Sequence, residues 1–370
     1  MNIKKPFLIF TLLRFYTFLT FFFLIFIMNP IKDLNDFLYI FKDSLCKWDC
    51  WIYTLITDTG YSKPWFCAFF PLFPLIVKNL KILFNGNVFY TAFILSNLFC
   101  FFAVVFLYNL VKDVYSEKVA LYTIVFFMAS PTILFYSTFY TESLFLMLVT
   151  LFFLLINNKK WFYSALVAAL ASATRNAGIF LSFILVFEYF RNQKWPVKLS
   201  DYRIILYFLI SVTGLISFMI FLKLKYDDFF YFIKATQNWP ERNGFTFPLW
   251  DFLKWLKNIT VTFQFKITHD RNNLSFIYIL ITVLLIFWGI RKIKADQAIF
   301  LLMVVLIISV QPRIISCSRY LSSAFPVWIL LALFVVENKR EKLLYKIIIF
   351  LMLFWQFYMN YRWVAGYWVD

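Results

Sequence analysis

The sequence predicts an all-α integral membrane protein that crosses the membrane several times. Of the 370 residues, 63% are hydrophobic and only 15% are charged, and the mean hydropathy is +0.77. Soluble domains are about 45–50% apolar and about 25% charged. A soluble core would not absorb so much apolar surface, and apolar segments of membrane-spanning length recur along the whole chain.

The first of these segments, residues 7–28, carries a single charge, Arg14. It is long enough to cross a hydrocarbon layer of about 30 Å. It lacks the small-residue exit of a cleavable signal peptide, so we expect a retained anchor. Roughly ten to eleven transmembrane helices are expected from this segment and from those at 88–110, 119–137, 143–157, 161–190, 203–222, 274–290, 297–311, 321–337 and 343–360.

The net charge of +17 has to be interpreted by position. Basic residues gather in short connections, a pattern typical of cytoplasmic loops, and lipid headgroups explain them better than a nucleic-acid partner does. We therefore assign six clusters to the cytoplasm: Lys4 and Lys5; Lys112 and Lys118; Lys159 and Lys160; Arg191 and Lys194; Arg291, Lys292 and Lys294; Lys339, Arg340 and Lys342.

These assignments predict the course of the chain. Segment 161–190 is interpreted as a helical hairpin that enters and leaves on the cytoplasmic side, and 66–84, with two prolines and two lysines, as a juxtamembrane or re-entrant helix. The polar connections 29–65, 223–273 and 311–320 then lie outside. We expect juxtamembrane helices in the first of these loops. No internal repeat is visible, so a single domain covering 1–370 is expected.

The first outer loop contains Trp48-Asp49, followed by Gly60-Tyr61. A carboxylate beside aromatic residues at the membrane surface can be held in one orientation by burial. The alternative is an interfacial tryptophan next to a helix-capping aspartate.

Three further charges need an explanation. Glu142 opens an apolar segment, where capping of a helix is the alternative to a functional role. Arg175 lies halfway along the 161–190 segment, and an arginine inside a membrane usually faces a cavity or a partner. Arg319 lies near an outer helix end, where snorkelling to headgroups competes with ligand binding.

Taken in order, these stretches resemble the PIG-V family of mannosyltransferases, which act in glycosylphosphatidylinositol anchor assembly, and the prokaryotic relatives of that family. The resemblance covers most of the chain and departs from the family in Thr141, where serine is usual. It rests on Trp48-Asp49, Gly60-Tyr61, Ala68 to Pro74, Ser130-Pro131, Tyr140-Thr141-Glu142, Arg175 with Gly178, and Arg319-Tyr320.

The resemblance implies a GT-C-type glycosyltransferase that moves mannose from a polyprenyl phosphate to a lipid-linked or glycan acceptor on the non-cytoplasmic face, with inversion. Asp49 would be the general base, since a phosphate leaving group departs without protonation. Arg175 and Arg319, with Lys63 a weaker candidate, would stabilise the phosphate, and Glu142 would orient an arginine or the acceptor. Trp48, Tyr61, Tyr140 and Tyr320 would contact substrate, although packing at the lipid interface is the alternative for each aromatic residue.

Other chemistry has little support in the sequence. His269 is the single histidine, and no Cys-x-x-Cys pair occurs, so neither a metal site nor a cofactor is expected. Cys46 and Cys50 would bridge in an oxidising compartment or remain free thiols. Asp227-Asp228 resembles a metal pair but fits the start of a solvated loop.

Two alternatives remain open at this stage: a lipid flippase or secondary transporter, and a GT-C enzyme that uses another sugar. A transporter would show two related halves, which the sequence lacks. We expect a prokaryotic plasma membrane or a eukaryotic endoplasmic reticulum membrane as the location. Membrane lipids and a small membrane subunit are the expected partners, and no nucleic acid is expected.

Overall fold

A computed structural model of the protein describes residues 2–193, 202–239, 244, 246–262, 272–312 and 316–369. These residues form helices and connections and contain no strand, which confirms the predicted all-α class. His269 lies outside the described residues. The helices are α1 (Lys4–Met28), α2 (Leu34–Leu45), α3 (Asp49–Thr59), α4 (Leu72–Leu80), α5 (Val88–Val114), α6 (Glu117–Met128), α7 (Glu142–Asn157), α8 (Trp161–Thr174), α9 (Phe180–Asn192), α10 (Tyr202–Tyr226), α11 (Tyr231–Ala235), α12 (Trp250–Thr262), α13 (Asn272–Gly289), α14 (Ala295–Ser309), α15 (Cys317–Ser323), α16 (Pro326–Val336) and α17 (Glu341–Val364).

Five described helices are long and apolar enough to cross a membrane: α1, α5, α10, α17 and the span Ser275–Lys292, which contains most of α13. Helices α15 and α16 add a sixth if this pair, bent by 76°, is one broken span. The predicted number of ten to eleven is therefore too high for the described part of the chain. Segments such as 119–137 form helices well below the 20 or so residues that a span needs, α6 having 12 residues.

Polar side chains mark where several helices begin. The side chains of Asp33, Asn87 and Ser116 each accept a backbone N–H in the first turn of α2, α5 and α6. Such caps satisfy N–H groups that have no partner inside the helix. Pro326 opens α16, where its missing N–H costs nothing.

The helices pack in a continuous series. Helix α5 packs on α6 and α7, α7 on α8, and α8 on α10, while α16 lies against α6 and α17 against α1. At the contact of α8 with α10, a Cβ atom on Gly214 would lie 1.9 Å from the carbonyl oxygen of Ala169. Glycine therefore allows the two backbones to touch, as small residues do in membrane helix pairs.

The predicted hairpin at 161–190 is confirmed. Helices α8 and α9 are joined by a 3₁₀ turn, Asn176–Ile179, and the rings of Trp161 and Tyr189 are 5.3 Å apart. The start of α8 thus lies beside the end of α9. In the turn, a Cβ atom on Gly178 would lie 2.2 Å from the carbonyl oxygen of Ala171, so only glycine fits this fold-back.

The segment 66–84 does not cross the bundle. Its longest helix, α4, has nine residues, a length of about 14 Å. A 3₁₀ turn, Pro64–Ala68, precedes it and another, Lys81–Phe84, follows it. These short elements agree with the predicted juxtamembrane or re-entrant course.

Four of the six basic clusters that the sequence assigned to the cytoplasm gather at one end of the bundle, those at 4–5, 112–118, 291–294 and 339–342. Their side chains join the start of α1 to α6, the start of α6 to α17, and the end of α13 to α16, through the ion pairs Lys5–Glu117, Lys118–Glu341 and Lys292–Glu337. The common face is confirmed for these four clusters, and Lys194 of a fifth cluster lies outside the described residues. That this face is cytoplasmic remains a prediction.

Candidate active site

The turn between α2 and α3 carries Asp49, which is the first residue of α3. Trp48 before it has a φ of +50°, a backbone conformation uncommon for residues other than glycine. A disulfide between Cys46 and Cys50 brackets the two residues. Of the two expectations for these cysteines, bridging is therefore confirmed and free thiols are wrong.

Helix α17 holds this turn in place. The Lys47 ammonium group donates to the carbonyl oxygens of Trp363 and Val364 at 3.0 and 3.1 Å, and burial lowers the pKa of Lys47. The Trp48 ring packs edge-on against Trp363 and Trp368, with centroids 4.8 and 5.1 Å away. Contacts from the far end of the sequence thus fix the position of Asp49.

A chain of ion pairs leads from Asp49 into the protein. Nη1 of Arg319 lies 2.8 Å from Oδ2 of Asp49, and Nε of the same arginine lies 3.2 Å from Oε1 of Glu142. Nη1 of Arg175 lies 3.0 Å from that same Glu142 oxygen. The side chains of Glu142, Arg175 and Arg319 are at most 8% exposed, whereas Asp49 is 20% exposed. Two carboxylates and two guanidinium groups therefore meet in one network.

Breaks in helices deliver both arginines. Arg175 ends α8 in an extended conformation, and its guanidinium group lies 4.4 Å from the centre of the Tyr320 ring. Arg319 lies in the short helix α15 and is 4% exposed. Because it is buried against two carboxylates, the alternative that Arg319 snorkels to headgroups is wrong.

Glu142 does open α7, as the capping alternative expected, and it also binds both arginines. Tyr140 just before it donates a hydrogen bond to the carbonyl oxygen of Lys47, at 2.9 Å. Burial, and then the charge of Asp49, raise the pKa of Tyr140 well above its ordinary value. Its hydroxyl is therefore neutral and links the segment before α7 to the Asp49 turn.

A cavity of about 390 Å³ opens over this network. Seven predicted site residues line it, namely Trp48, Asp49, Tyr140, Glu142, Arg175, Arg319 and Tyr320. Other lining residues were not predicted from the sequence, among them Tyr53, Asn176, Phe232, Trp239 and Trp368. Four of these five are aromatic, and in a chain with 24% aromatic residues no local signal distinguishes them.

Two predicted substrate-binding residues do not line this cavity. The Tyr61 hydroxyl donates to the carbonyl oxygen of Phe69 at 2.7 Å, and its ring packs on Phe218. Lys63 is exposed, with its ammonium group 5.8 Å from the Trp65 ring. Tyr61 therefore stabilises the chain around the 3₁₀ turn, and the expected contact of either residue with substrate in the cavity is not supported.

A second cavity, of about 430 Å³, adjoins the first. The two share Arg175, Asn176, Phe232, Thr236 and Tyr320. Most of its remaining lining is apolar: Phe145, Ala177, Ile233, Val304, Ile307, Ile308 and Val310. A polar compartment and an apolar compartment thus meet at Arg175 and Tyr320.

Among the residues described, no group of three or more histidine, cysteine, aspartate or glutamate side chains is arranged to hold a metal ion. Asp227 is exposed and pairs with Lys223 at 2.5 Å, and Asp228 pairs with Lys234. The Asp227-Asp228 pair therefore belongs to a solvated loop, as expected.

Comparison with known proteins gives one relative and one fold. No family model matches the chain. GPI mannosyltransferase 2 of Schizosaccharomyces pombe is 31% identical over 162 residues, which cover 41% of this chain and 33% of that protein. The chain thus spans about a third of the length of the curated relative it matches.

The solved structures decide the fold. The oligosaccharyltransferase of Archaeoglobus fulgidus in complex with Zn and sulfate matches with a TM-score of 0.51 and 12% identity, over 85% of this chain and 48% of that one. Its apo form matches with a TM-score of 0.50 and 12% identity, over 95% and 56%. The chain has the GT-C fold. This confirms the predicted fold class, and at 12% identity the likeness shows the fold alone.

Proposed function

We propose that this protein is a membrane glycosyltransferase that moves mannose from a polyprenyl phosphate to a lipid-linked or glycan acceptor. The observation that carries the proposal is the meeting of Asp49, Glu142, Arg175 and Arg319 at one cavity. The GT-C fold and the partial similarity to a mannosyltransferase support the same reaction class.

In the proposed reaction, the acceptor hydroxyl oxygen bonds to the anomeric carbon of mannose as the bond from that carbon to the phosphate oxygen breaks. Asp49 takes the hydroxyl proton, and the configuration at the anomeric carbon inverts. The phosphate leaves as an anion and needs no acid, so one base is sufficient. Asp49 suits this role because it is the most exposed of the four charged groups.

The arginines would stabilise the negative charge that develops on the leaving phosphate. In the structure, their charges are balanced by Asp49 and Glu142. A phosphate that binds Arg319 competes with Asp49 for the same guanidinium group. Donor binding would therefore release the base when the acceptor needs it, while Glu142 keeps both arginines in position.

The second cavity offers room for the start of the prenyl chain. Its wall is mostly apolar, and it meets the polar cavity at Arg175 and Tyr320. A phosphate held at Arg175 could therefore place its sugar over Asp49 and its hydrocarbon chain against α14. Burial of each CH₂ group would contribute about 0.8 kcal/mol.

The disulfide supports a non-cytoplasmic site, because such bonds persist in oxidising compartments. The membrane would be the plasma membrane in a prokaryote or the endoplasmic reticulum membrane in a eukaryote. A small membrane subunit is part of the proposal as a further partner.

The purified protein in detergent should release polyprenyl phosphate from radiolabelled polyprenyl phosphate mannose when an acceptor is present. Asp49→Asn should lose this release. Asp58→Asn is the matched control for that variant, since Asp58 lies on α3 as Asp49 does but pairs with Lys81 outside the cavity. The control should keep wild-type activity. Release of polyprenyl phosphate only from a glucose, arabinose or aminosugar donor would change the proposed sugar. Movement of the lipid across a membrane without any release of polyprenyl phosphate would favour a transporter.

The position of the donor's prenyl chain is tested separately. Ile308→Trp would fill part of the second cavity and should raise the KM for long-chain donors more than for a short-chain donor. Leu306→Trp, on the lipid-facing side of α14 at 53% exposure, is the control. Equal effects of the two variants would remove the second cavity from the proposal.

A further inference from the structure

Arg14 is a buried cation that the proposed reaction does not use. It lies within α1 and is 6% exposed. Within the described part of the chain, no carboxylate lies within ion-pair distance of it. An arginine in the apolar part of a membrane protein is costly to keep and therefore calls for a specific role.

Its hydrogen bonds show what it holds. Nη1 donates to the hydroxyl of Ser137 and, at 3.4 Å, to the carbonyl oxygen of Ile133. Nη2 donates to the sulfur of Cys100 at 2.9 Å. The Phe10 ring lies 5.2 Å from the guanidinium carbon. One nitrogen of the guanidinium group is thus committed to the connection between α6 and α7, and the other to α5 beside it.

That connection, residues 129–141, consists of a 3₁₀ turn, Ile133–Tyr136, flanked by irregular backbone, and it is buried along its whole length. Such backbone is tolerated inside a membrane protein only where its polar groups find partners. Its carbonyl groups at Ile133 and Thr138 accept hydrogen bonds from Arg14 and from the Ser96 hydroxyl, the latter at 2.6 Å. On its other side, the Tyr136 hydroxyl lies 3.0 Å from the hydroxyls of Ser322 and Ser323 in α15.

The connection ends in the site itself. Its last residues are Tyr140 and Thr141, followed directly by Glu142, which binds both arginines of the cavity. Ser137, the residue that Arg14 holds, lies only a few positions before them. Arg14 does not line either cavity, so it acts on the site through the elements it contacts, and this connection leads directly to Glu142.

We propose that Arg14 is a positioning residue: it fixes the 129–141 connection from behind and thereby sets the position of Tyr140 and Glu142. Its charge is retained because one guanidinium group reaches a carbonyl oxygen, a hydroxyl and a thiol on two different elements. A neutral side chain of similar length would hold fewer of these groups. The kinetic consequence rests on the proposed function, whereas the structural consequence does not.

A misplacement of about 1 Å can cost about 100-fold in rate. Arg14→Gln should therefore lower kcat about 10- to 100-fold while the KM for the donor changes less than about twofold, because Arg14 touches no substrate. Arg14→Lys should recover part of the loss. Ser137→Ala should lower kcat in the same way, and the double variant should be no worse than Arg14→Gln alone.

Hydrogen exchange tests the structural part without any assay of activity. The amide of Ser137 donates to the Leu134 carbonyl group at 2.9 Å and should be protected in the wild type. In Arg14→Gln, amides of the 129–141 connection should exchange at least about tenfold faster. Thr17→Val is the control, since Thr17 lies one turn further along α1 and accepts a hydrogen bond from Gln356 of α17. It should leave this connection unchanged.

The outcomes are distinct. Unchanged exchange in Arg14→Gln, or an equal increase throughout the protein, overturns the proposal. Faster exchange confined to 129–141 with an unchanged kcat removes the link to the site. Faster exchange of the connection in Arg14→Gln, combined with a wild-type protein that transfers no sugar, would leave the positioning intact and defeat the proposed function instead.

Discussion

Replacing Glu142 with glutamine removes the negative charge between two buried guanidinium groups and preserves the shape of the side chain. Within the described residues, Glu142 is the one carboxylate within ion-pair distance of Arg175. Arg319 would keep its second partner, Asp49. The variant therefore leaves Arg175 charged and buried without a counter-charge.

The size of the effect follows from burial. Removing one partner of a buried ion pair costs about 3–5 kcal/mol. Asp49→Asn should cost less, about 1–2 kcal/mol, because Arg319 keeps Glu142 and Asp49 itself is 20% exposed to water. Stability and activity should thus depend on different residues: Glu142→Gln is expected to be the less stable variant, and Asp49→Asn the less active one.

Thermal unfolding in detergent, followed by tryptophan fluorescence, measures the difference. Glu117→Gln is the matched control, because Glu117 pairs with Lys5 at the bundle end and is 40% exposed. Its melting temperature should match that of the wild type. Adding Arg175→Met to Glu142→Gln should restore at least half of the lost stability, since the unpaired charge is then removed. A Glu142→Gln protein whose melting temperature equals that of Glu117→Gln, or exceeds that of Asp49→Asn, would refute this account of the network.

Two further predictions concern the backbone around the site. Gly178→Ala places a Cβ atom 2.2 Å from the Ala171 carbonyl oxygen, so the 3₁₀ turn must move and shift Arg175. We expect at least a tenfold loss of transfer at wild-type expression, and full activity would show that the turn is not tightly packed. Replacing Cys46 and Cys50 together with serine should lower kcat severalfold by loosening the Asp49 turn. Peptide mapping of the wild type without reductant should recover the two cysteines linked, and recovery of both as free thiols would contradict the bond.

The charged residues of the site could be predicted from the sequence, because each has a local signal. Asp49 follows a tryptophan in an outer loop, Glu142 opens an apolar segment, and Arg175 interrupts one. Their order along the chain resembled a known family, and the structure brings all of them together with Arg319. The helical hairpin was predictable for the same reason, since basic residues flank 161–190 at both ends.

What could not be predicted depends on contacts between distant parts of the chain. Lys47 meets Trp363 across 316 positions, and Arg14 meets Ser137 across 123. Neither contact leaves a pattern in either segment. The number of spans was overestimated because hydropathy does not show where a helix ends, and α6 ends at Met128 within the apolar segment 119–137. The place of Tyr61 outside the cavity could not be predicted, because a tyrosine near the site has the same local sequence whether it lines the cavity or bonds to backbone.

The central claim is that Asp49 acts as the base at a cavity where Arg319 and Arg175 hold the phosphate. Single-turnover transfer by Asp49→Asn at saturating donor, together with the dissociation constant for the donor, tests it most directly. The transfer rate should fall about 10²- to 10⁴-fold. The donor should bind at least as tightly as to the wild type, because the asparagine competes less for Arg319. Transfer at the wild-type rate, or a loss explained entirely by weaker donor binding, would contradict the claim.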